Sequence, residues 1–366
     1  MANVKPPGFA RAALYWALVF GTALIAPARA AEEPPLPPPA IEIAAERPSP
    51  DRPARSFRAP YAGEIVDVLT HVSPPRSSGK GRTQEPVAEL IRDAGVALAY
   101  LMPTPNEGMN AKRDDGTAQK IALARRVGDP VRVFCGGDYL TAGIDSAQRA
   151  NFRDDDISSL LRRLEGELDG GACRGIGEFG VMHFDKSGAQ NVVHLRPNFA
   201  PVLDVLALAA RKRAWIDVHM EPVEPEGTSH EAEAFGALAL WFGRYPDLRL
   251  MLSHTAMTSA ENARRLLVAY PNLMLPIKLV PRNAGWSHLG PVVNRRGQLY
   301  EDWARLMEDM PDRFLVGSDT KFAAERHGSG DKYPETIALF RDVLGSLSPS
   351  AADAIAHGNA RRILGD

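Results

Sequence analysis

Trp215-Ile216-Asp217-Val218-His219 and Leu250-Met251-Leu252-Ser253-His254 are short apolar runs that each end in histidine. Between them lies Glu231–Tyr245, whose apolar residues recur at helical spacing. Run, helix and run make a βαβ unit, so the two runs are expected to be parallel strands of one sheet. The same alternation extends outward in both directions. Further runs are Glu64–His71, Ala97–Met102, Val131–Phe134, Gly175–Glu178, Leu273–Ile277 and Phe314–Ser318. The helical patterns between them include Glu85–Asp93, Asp155–Leu168, Phe199–Lys212, Ala260–Tyr270 and Tyr300–Met310. Eight strands in about 300 residues predict an α/β fold, a closed (β/α)8 TIM barrel in a single domain. A doubly wound open sheet is the competing arrangement. A last helix, Ser350–Leu364, is expected to close the barrel or pad its base.

The strand ends carry the chemistry. His71, Glu178, His219, His254 and Asp319 each finish a run and make poor core. Their spacing, at roughly 30–40 residues per βα unit, puts them at the ends of strands 1, 4, 5, 6 and 8. In a barrel those ends converge on one mouth, where active sites are built. Imidazoles and carboxylates gathered there suit a borderline divalent metal, zinc first and manganese second. Any one of these histidines alone reads more simply as a hydrogen-bonded structural residue; five residues in register make a shared site the better reading.

Composition sets the frame for partners. With 43 Lys+Arg against 45 Asp+Glu and a net charge of −2, the 366-residue chain has no electrostatic footprint for nucleic acid. Residues 1–30 read as an export signal: Lys5 and Arg11 are followed by the apolar run Ala12–Ala26 and the small-x-small pattern Ala28-Arg29-Ala30. The apolar run falls short of the ~20 residues that a membrane span needs. No later span is expected, so the mature protein is predicted to be periplasmic or secreted. Residues 31–60 hold nine prolines and read as a disordered linker, with the barrel domain over 61–366. Cys135 ends one strand and Cys173 precedes the next. In a parallel sheet those are opposite ends of the strands, too far apart for disulfide geometry, and the expectation is two free, mostly buried thiols.

Taken together, Val66-Asp67-Val68-Leu69-Thr70-His71, Gly177-Glu178-Phe179-Gly180, Asp217-Val218-His219-Met220-Glu221-Pro222, Ser253-His254, Gly317-Ser318-Asp319-Thr320 and His357-Gly358-Asn359-Ala360-Arg361-Arg362 resemble the amidohydrolase superfamily. The nearest branch is the amidohydrolase-related one, of the aminocarboxymuconate-semialdehyde decarboxylase-like proteins. The resemblance implies a metal-dependent barrel hydrolase or a non-oxidative decarboxylase. It implies metal ligands at His71, Glu178, His219, His254 and Asp319, with Asp319 also handling the proton of the attacking water and His254 either ligating or hydrogen-bonding that water. The family carries His-x-His at the end of strand 1, whereas this chain has Leu69-Thr70-His71. Leucine offers no lone pair, so a single metal is expected rather than a two-metal clamp.

Lys278 and Arg282 follow strand 7, with Asn283, Trp286 and His288, and read either as a clamp for a substrate carboxylate or as solvated loop charges. Glu221 is a candidate to orient His219; His183 and Asp185 are candidates to line the mouth. His194, His230 and His327 have no supporting pattern and read as surface residues. Gly175-x-Gly177-x-x-Gly180 imitates a dinucleotide fingerprint but opens no helix, and Ser318-Asp319-Thr320-Lys321 lacks the partner motifs of penicillin-recognising enzymes. The resulting expectation is an exported hydrolase of a small molecule bearing an amide, lactone or ester, using one metal ion. A decarboxylase on the same barrel and a non-catalytic binding barrel are the alternatives, and a homo-oligomer stays open.

Overall fold

A computed structural model describes residues 35–43, 53–72, 86–105, 116–150, 154–184, 192–279, 291–322 and 332–365. Eight parallel strands run in sequence order around a closed barrel: β1 (Val66–Val72), β2 (Leu98–Leu101), β3 (Val131–Gly136), β4 (Gly175–His183), β5 (Trp215–Met220), β6 (Arg249–Leu252), β7 (Leu273–Ile277) and β8 (Phe314–Val316). Pairing of Asp67 with Val316 joins β8 to β1 and closes the ring. The open-sheet alternative is therefore excluded. Two short strands flank the ring: Val193–His194 runs antiparallel to β4, and Thr320–Phe322 runs parallel to β1.

Side-chain alternation sorts the core into two parts. Trp215, Met251 and Met274 join Val66, Val68, Phe134 and Leu315 in a cluster filling the barrel. Their neighbours Ile216, Val218, Leu250, Leu252, Leu273 and Leu275 face the helices in a larger cluster. Leu69 is fully buried in the inner cluster. The ring of helices comprises α1 (Pro86–Asp93), α2 (Gly116–Val127), α3 (Gly137–Arg149), α4 (Asp154–Asp169), α5 (Ala200–Lys212), α6 (Glu231–Arg244), α7 (Ala260–Ala269), α8 (Glu301–Asp309) and α9 (Tyr333–Leu344). Ser259 caps α7 by accepting a hydrogen bond from the Asn262 amide.

The expected final helix is divided into α10 (Pro349–Asp353), a π turn over Ala354–Gly358 and α11 (Asn359–Leu364). It covers the base of the barrel. Ala360 and Leu364 enter the inner cluster, and Trp215, the first residue of β5, donates its indole N–H to the Ile363 carbonyl at 3.1 Å.

Cys135 and Cys173 form a disulfide, with Cα atoms 5.8 Å apart, so the expectation of free thiols is overturned. The strands of a barrel are staggered by its shear. Phe134 and Cys135, at the end of β3, pair with Gly175 and Ile176, at the start of β4, which brings Cys173 beside Cys135.

Contacts with the barrel also begin before Tyr61. Ala54 bridges Tyr300, the Arg55 amide donates to the Leu299 carbonyl at 2.8 Å, and Ile41 and Ile43 pack against the outer core. Residues 1–34 lie outside the described residues. Among the described residues no helix is long and apolar enough to cross a membrane.

Candidate active site

The C-terminal ends of the strands bring His71, Glu178, His219, His254 and Asp319 together in a buried mouth. Backbone geometry sets several of these positions. Glu178 follows Gly177, whose φ is +153° and where a Cβ would come within 2.9 Å of Asp217 Cβ; glycine lets β4 close on β5 there. His254 opens a left-handed turn, with φ of 59°, 60°, 58° and 46° from His254 to Met257, and Asp319 has φ 53°. Such conformations cost about 1–3 kcal/mol each in non-glycine residues and gather at functional sites.

Three donor atoms meet at one point. His219 Nδ1 lies 2.5 Å from Glu178 Oε1, His254 Nε2 lies 3.0 Å from His219 Nδ1, and His254 Nε2 lies 3.1 Å from Glu178 Oε1. Two imidazole nitrogens and a carboxylate oxygen this close repel one another unless positive charge sits among them. A proton supplies it in part: burial alone would lower His219, yet Glu178 and then Glu221 raise it to about 10. A divalent cation would supply it more completely, since the set is two nitrogens and one oxygen, the composition of a three-ligand catalytic site. His254 fits this reading. Burial and the Lys278 charge hold it down to about 4, so it is a neutral imidazole, and its buried Nδ1 has no hydrogen-bond partner among the described residues.

The second nitrogen of His219 is also engaged. Its Nε2 lies 3.1 Å from Glu221 Oε1, while Glu221 Oε2 accepts from the Phe184 amide at 2.5 Å. Burial would raise the Glu221 carboxyl, but His183 and His219 hold it well below the usual carboxylate range. This is the carboxylate–histidine arrangement that fixes the ring of a metal-ligating histidine. His183 stands here too, its Nδ1 3.1 Å from His219 Nε2.

Asp319 closes the other side. His71 donates from Nδ1 to the Met102 carbonyl at 2.8 Å, which turns Nε2 to Asp319 Oδ1 at 2.9 Å and to Glu178 Oε2 at 3.5 Å. Lys278 Nζ lies 2.5 Å from Asp319 Oδ2. Burial would push Asp319 up, but the Lys278 ammonium and the hydrogen bond from His71 hold it well below the usual range. Lys278 thus faces an acid of its own chain. Arg282, Asp185, Asn283, Trp286, His288 and His327 lie outside the described residues.

Asp217 is a site residue that strand-end reasoning misses. It lies two positions before His219 on the same face of β5, accepts from Ser253 Oγ, and is pushed well above the carboxylate range by burial and by Glu178. The alternation Asp217-Val218-His219 carried the signal, because both polar residues point inward.

A sequence profile of the amidohydrolase family matches residues 150–365, more than half of the chain. The chain belongs to the amidohydrolase family. That stretch contains Glu178, His219, His254 and Asp319 but not His71. No curated protein matches the chain. Among solved structures it is similar to an uncharacterized TIM-barrel protein of Bordetella bronchiseptica, with 15% identity, 82% of this chain and 98% of that one covered, and a TM-score of 0.50. It is similar also to 2,6-dihydroxybenzoate decarboxylase from Rhizobium, with 12% identity, coverage of 82% and 98%, and a TM-score of 0.50. A third is a probable 2-pyrone-4,6-dicarboxylic acid hydrolase from Acinetobacter baumannii, with 10% identity, coverage of 82% and 99%, and a TM-score of 0.50. At these identities the likeness is one of fold.

Proposed function

We propose that this protein is a metal-dependent hydrolase of a small molecule carrying an amide, lactone or ester bond. The observation that carries the reading is the convergence of Glu178 Oε1, His219 Nδ1 and His254 Nε2 within 3.1 Å of one another. These three residues would hold one divalent cation, zinc in the first instance. When bound, such an ion supplies Lewis-acid polarisation and a lowered pKa for water.

The chain's own residues do the rest. Asp319 takes up the proton of the attacking water and returns it to the leaving group. Lys278 and His71 keep Asp319 ionised and fix its orientation. Glu221 holds the His219 ring with Nδ1 toward Glu178. A single ion is the preferred count, because the Lys278 ammonium places a positive charge on Asp319 and Leu69 adds no ligand. The departure at Leu69 from the family's His-x-His is part of this reading. Hydrolysis is put ahead of decarboxylation because Lys278 turns its ammonium to Asp319 rather than outward to a substrate carboxylate.

We further propose that the protein is exported through residues 1–30 and acts in an oxidising compartment. The Cys135–Cys173 disulfide supports this, since such bonds persist outside the cytosol. A mature N-terminus at Ala31 in the exported fraction is the expected result. For the activity, the purified chain is expected to bind about one equivalent of zinc at the active centre, lost in His219→Ala and in His254→Ala. A panel of lactones, esters and amides then finds the substrate. Undiminished metal binding in both variants would overturn the ligand assignment, and full turnover by Asp319→Asn would overturn the base.

A further inference from the structure

We propose a second cation site at the rim of the barrel, built from His194, His230 and Glu233, that takes a borderline divalent ion such as Zn2+. His194 lies in the short strand after β4, where it pairs with Met182, and His230 immediately precedes α6, whose first turn holds Glu233. The site therefore joins the loop after β4 to the loop after β5. His194 Nε2 lies 3.1 Å from Glu233 Oε2, and His230 Nδ1 lies 3.6 Å from the same oxygen. The three donor atoms fall within 4.8 Å of one another, a span that one ion can bridge.

Two further features favour a metal over a simple cluster of ion pairs. His230 Nε2 lies 2.6 Å from Glu224 Oε1, so its N–H points at a carboxylate and its Nδ1 lone pair is left toward Glu233 and His194. That is the tautomer and orientation a carboxylate imposes on a metal-ligating imidazole. Phe184 fixes both rings, stacked on His230 at 5.0 Å and edge-on to His194 at 5.7 Å. The turn carrying Glu224 is held by Glu224 N to Thr228 O at 2.8 Å and His230 N to Pro222 O at 2.7 Å. The two carboxylates beside these imidazoles carry negative charge that a divalent cation cancels, and mixed nitrogen and oxygen donors suit zinc. Both histidines are partly exposed, so an ion can enter from solution.

The competing occupant is a pair of protons, since the hydrogen bond that His194 donates to Glu233 already raises the imidazole. Zinc titration of the chelator-stripped full-length chain against a chromophoric competitor separates the two. His194→Gln is compared with wild type, and His194→Gln in a His219→Ala background is compared with His219→Ala alone. The loss of one zinc equivalent in each pair is expected; equal stoichiometry within both pairs would overturn the site. Because each pair differs only at the rim, the result does not depend on whether the active centre binds metal. Glu233→Gln, which keeps the volume of the side chain, is read the same way and is expected to weaken the rim equivalent about tenfold or more; unchanged affinity there would equally count against the site.

Discussion

Lys278 Nζ lies 2.5 Å from Asp319 Oδ2, and the two side chains are only 15% and 21% exposed. One residue follows β7 and the other follows β8, so the pair staples adjacent strand ends over the mouth. A pair this poorly solvated couples energetically. In a double-mutant cycle of Lys278→Met and Asp319→Asn, read by urea unfolding, an interaction energy of about 1–3 kcal/mol is expected. The single Lys278→Met change should cost more than the double change, because it leaves the poorly solvated Asp319 carboxylate without its ammonium partner. Additive losses would show that the contact has no energetic content.

Glu221 is placed to act through His219, from which its Oε1 is 3.1 Å away, rather than at the metal position itself. Glu221→Gln should lower zinc affinity at the active centre by about 10–100-fold while leaving one equivalent able to bind at high zinc. His219→Ala should remove that equivalent altogether. A chelator competition curve for Glu221→Gln that overlays wild type would dismiss the positioning role.

The Cys135–Cys173 bond closes a loop with a sequence separation of 38 residues. Loop-closure entropy for a bridge of that length corresponds to about 3–4 kcal/mol of stability. Cys135→Ser with Cys173→Ser should therefore lower the melting temperature by several degrees, and dithiothreitol should bring wild type down to the variant without affecting the variant. A thiol assay that counts two reactive cysteines in the unfolded, unreduced protein would show that the bond does not form.

The barrel and the residues at its mouth were legible because both follow from local rules. Eight apolar runs alternated with helical periodicity, and the runs ended in residues that a core does not tolerate, of which His219 and His254 are the plainest. What escaped reading depended on geometry between elements. Cys135 and Cys173 meet only because the shear of the barrel sets the end of β3 against the start of β4, and sequence order does not show a shear. Lys278 read either as a clamp for a substrate carboxylate or as a solvated loop charge, because nothing local indicates that β7 and β8 aim it at Asp319. His194 and His230, 36 positions apart, read as surface histidines; loops of unequal length bring them to a ring separation of 5.1 Å.

Asp67 offers a test of the core that is independent of the metal question. It is fully buried on β1, where Oδ1 accepts from the amides of Leu69 and Ser318 and Oδ2 accepts from the Tyr333 hydroxyl at 3.0 Å. Burial outweighs these hydrogen bonds and raises its pKa from 3.8 to about 6. The folded protein thus keeps this proton to a higher pH than the unfolded chain does. Between those two values the unfolded state binds fewer protons, so stability falls as pH rises. The contribution is fully present below about pH 4 and is lost through about pH 6, in all about 3 kcal/mol. Asp67→Asn keeps an acceptor for the two amides and gives Tyr333 an N–H to accept, but it cannot ionise. Urea midpoints measured from pH 4 to 7.5 should fall less steeply in the variant, by the equivalent of one proton, and the variant should be the more stable protein at neutral pH. Parallel curves for the two proteins would mean that Asp67 ionises as readily in the folded barrel as in the unfolded chain.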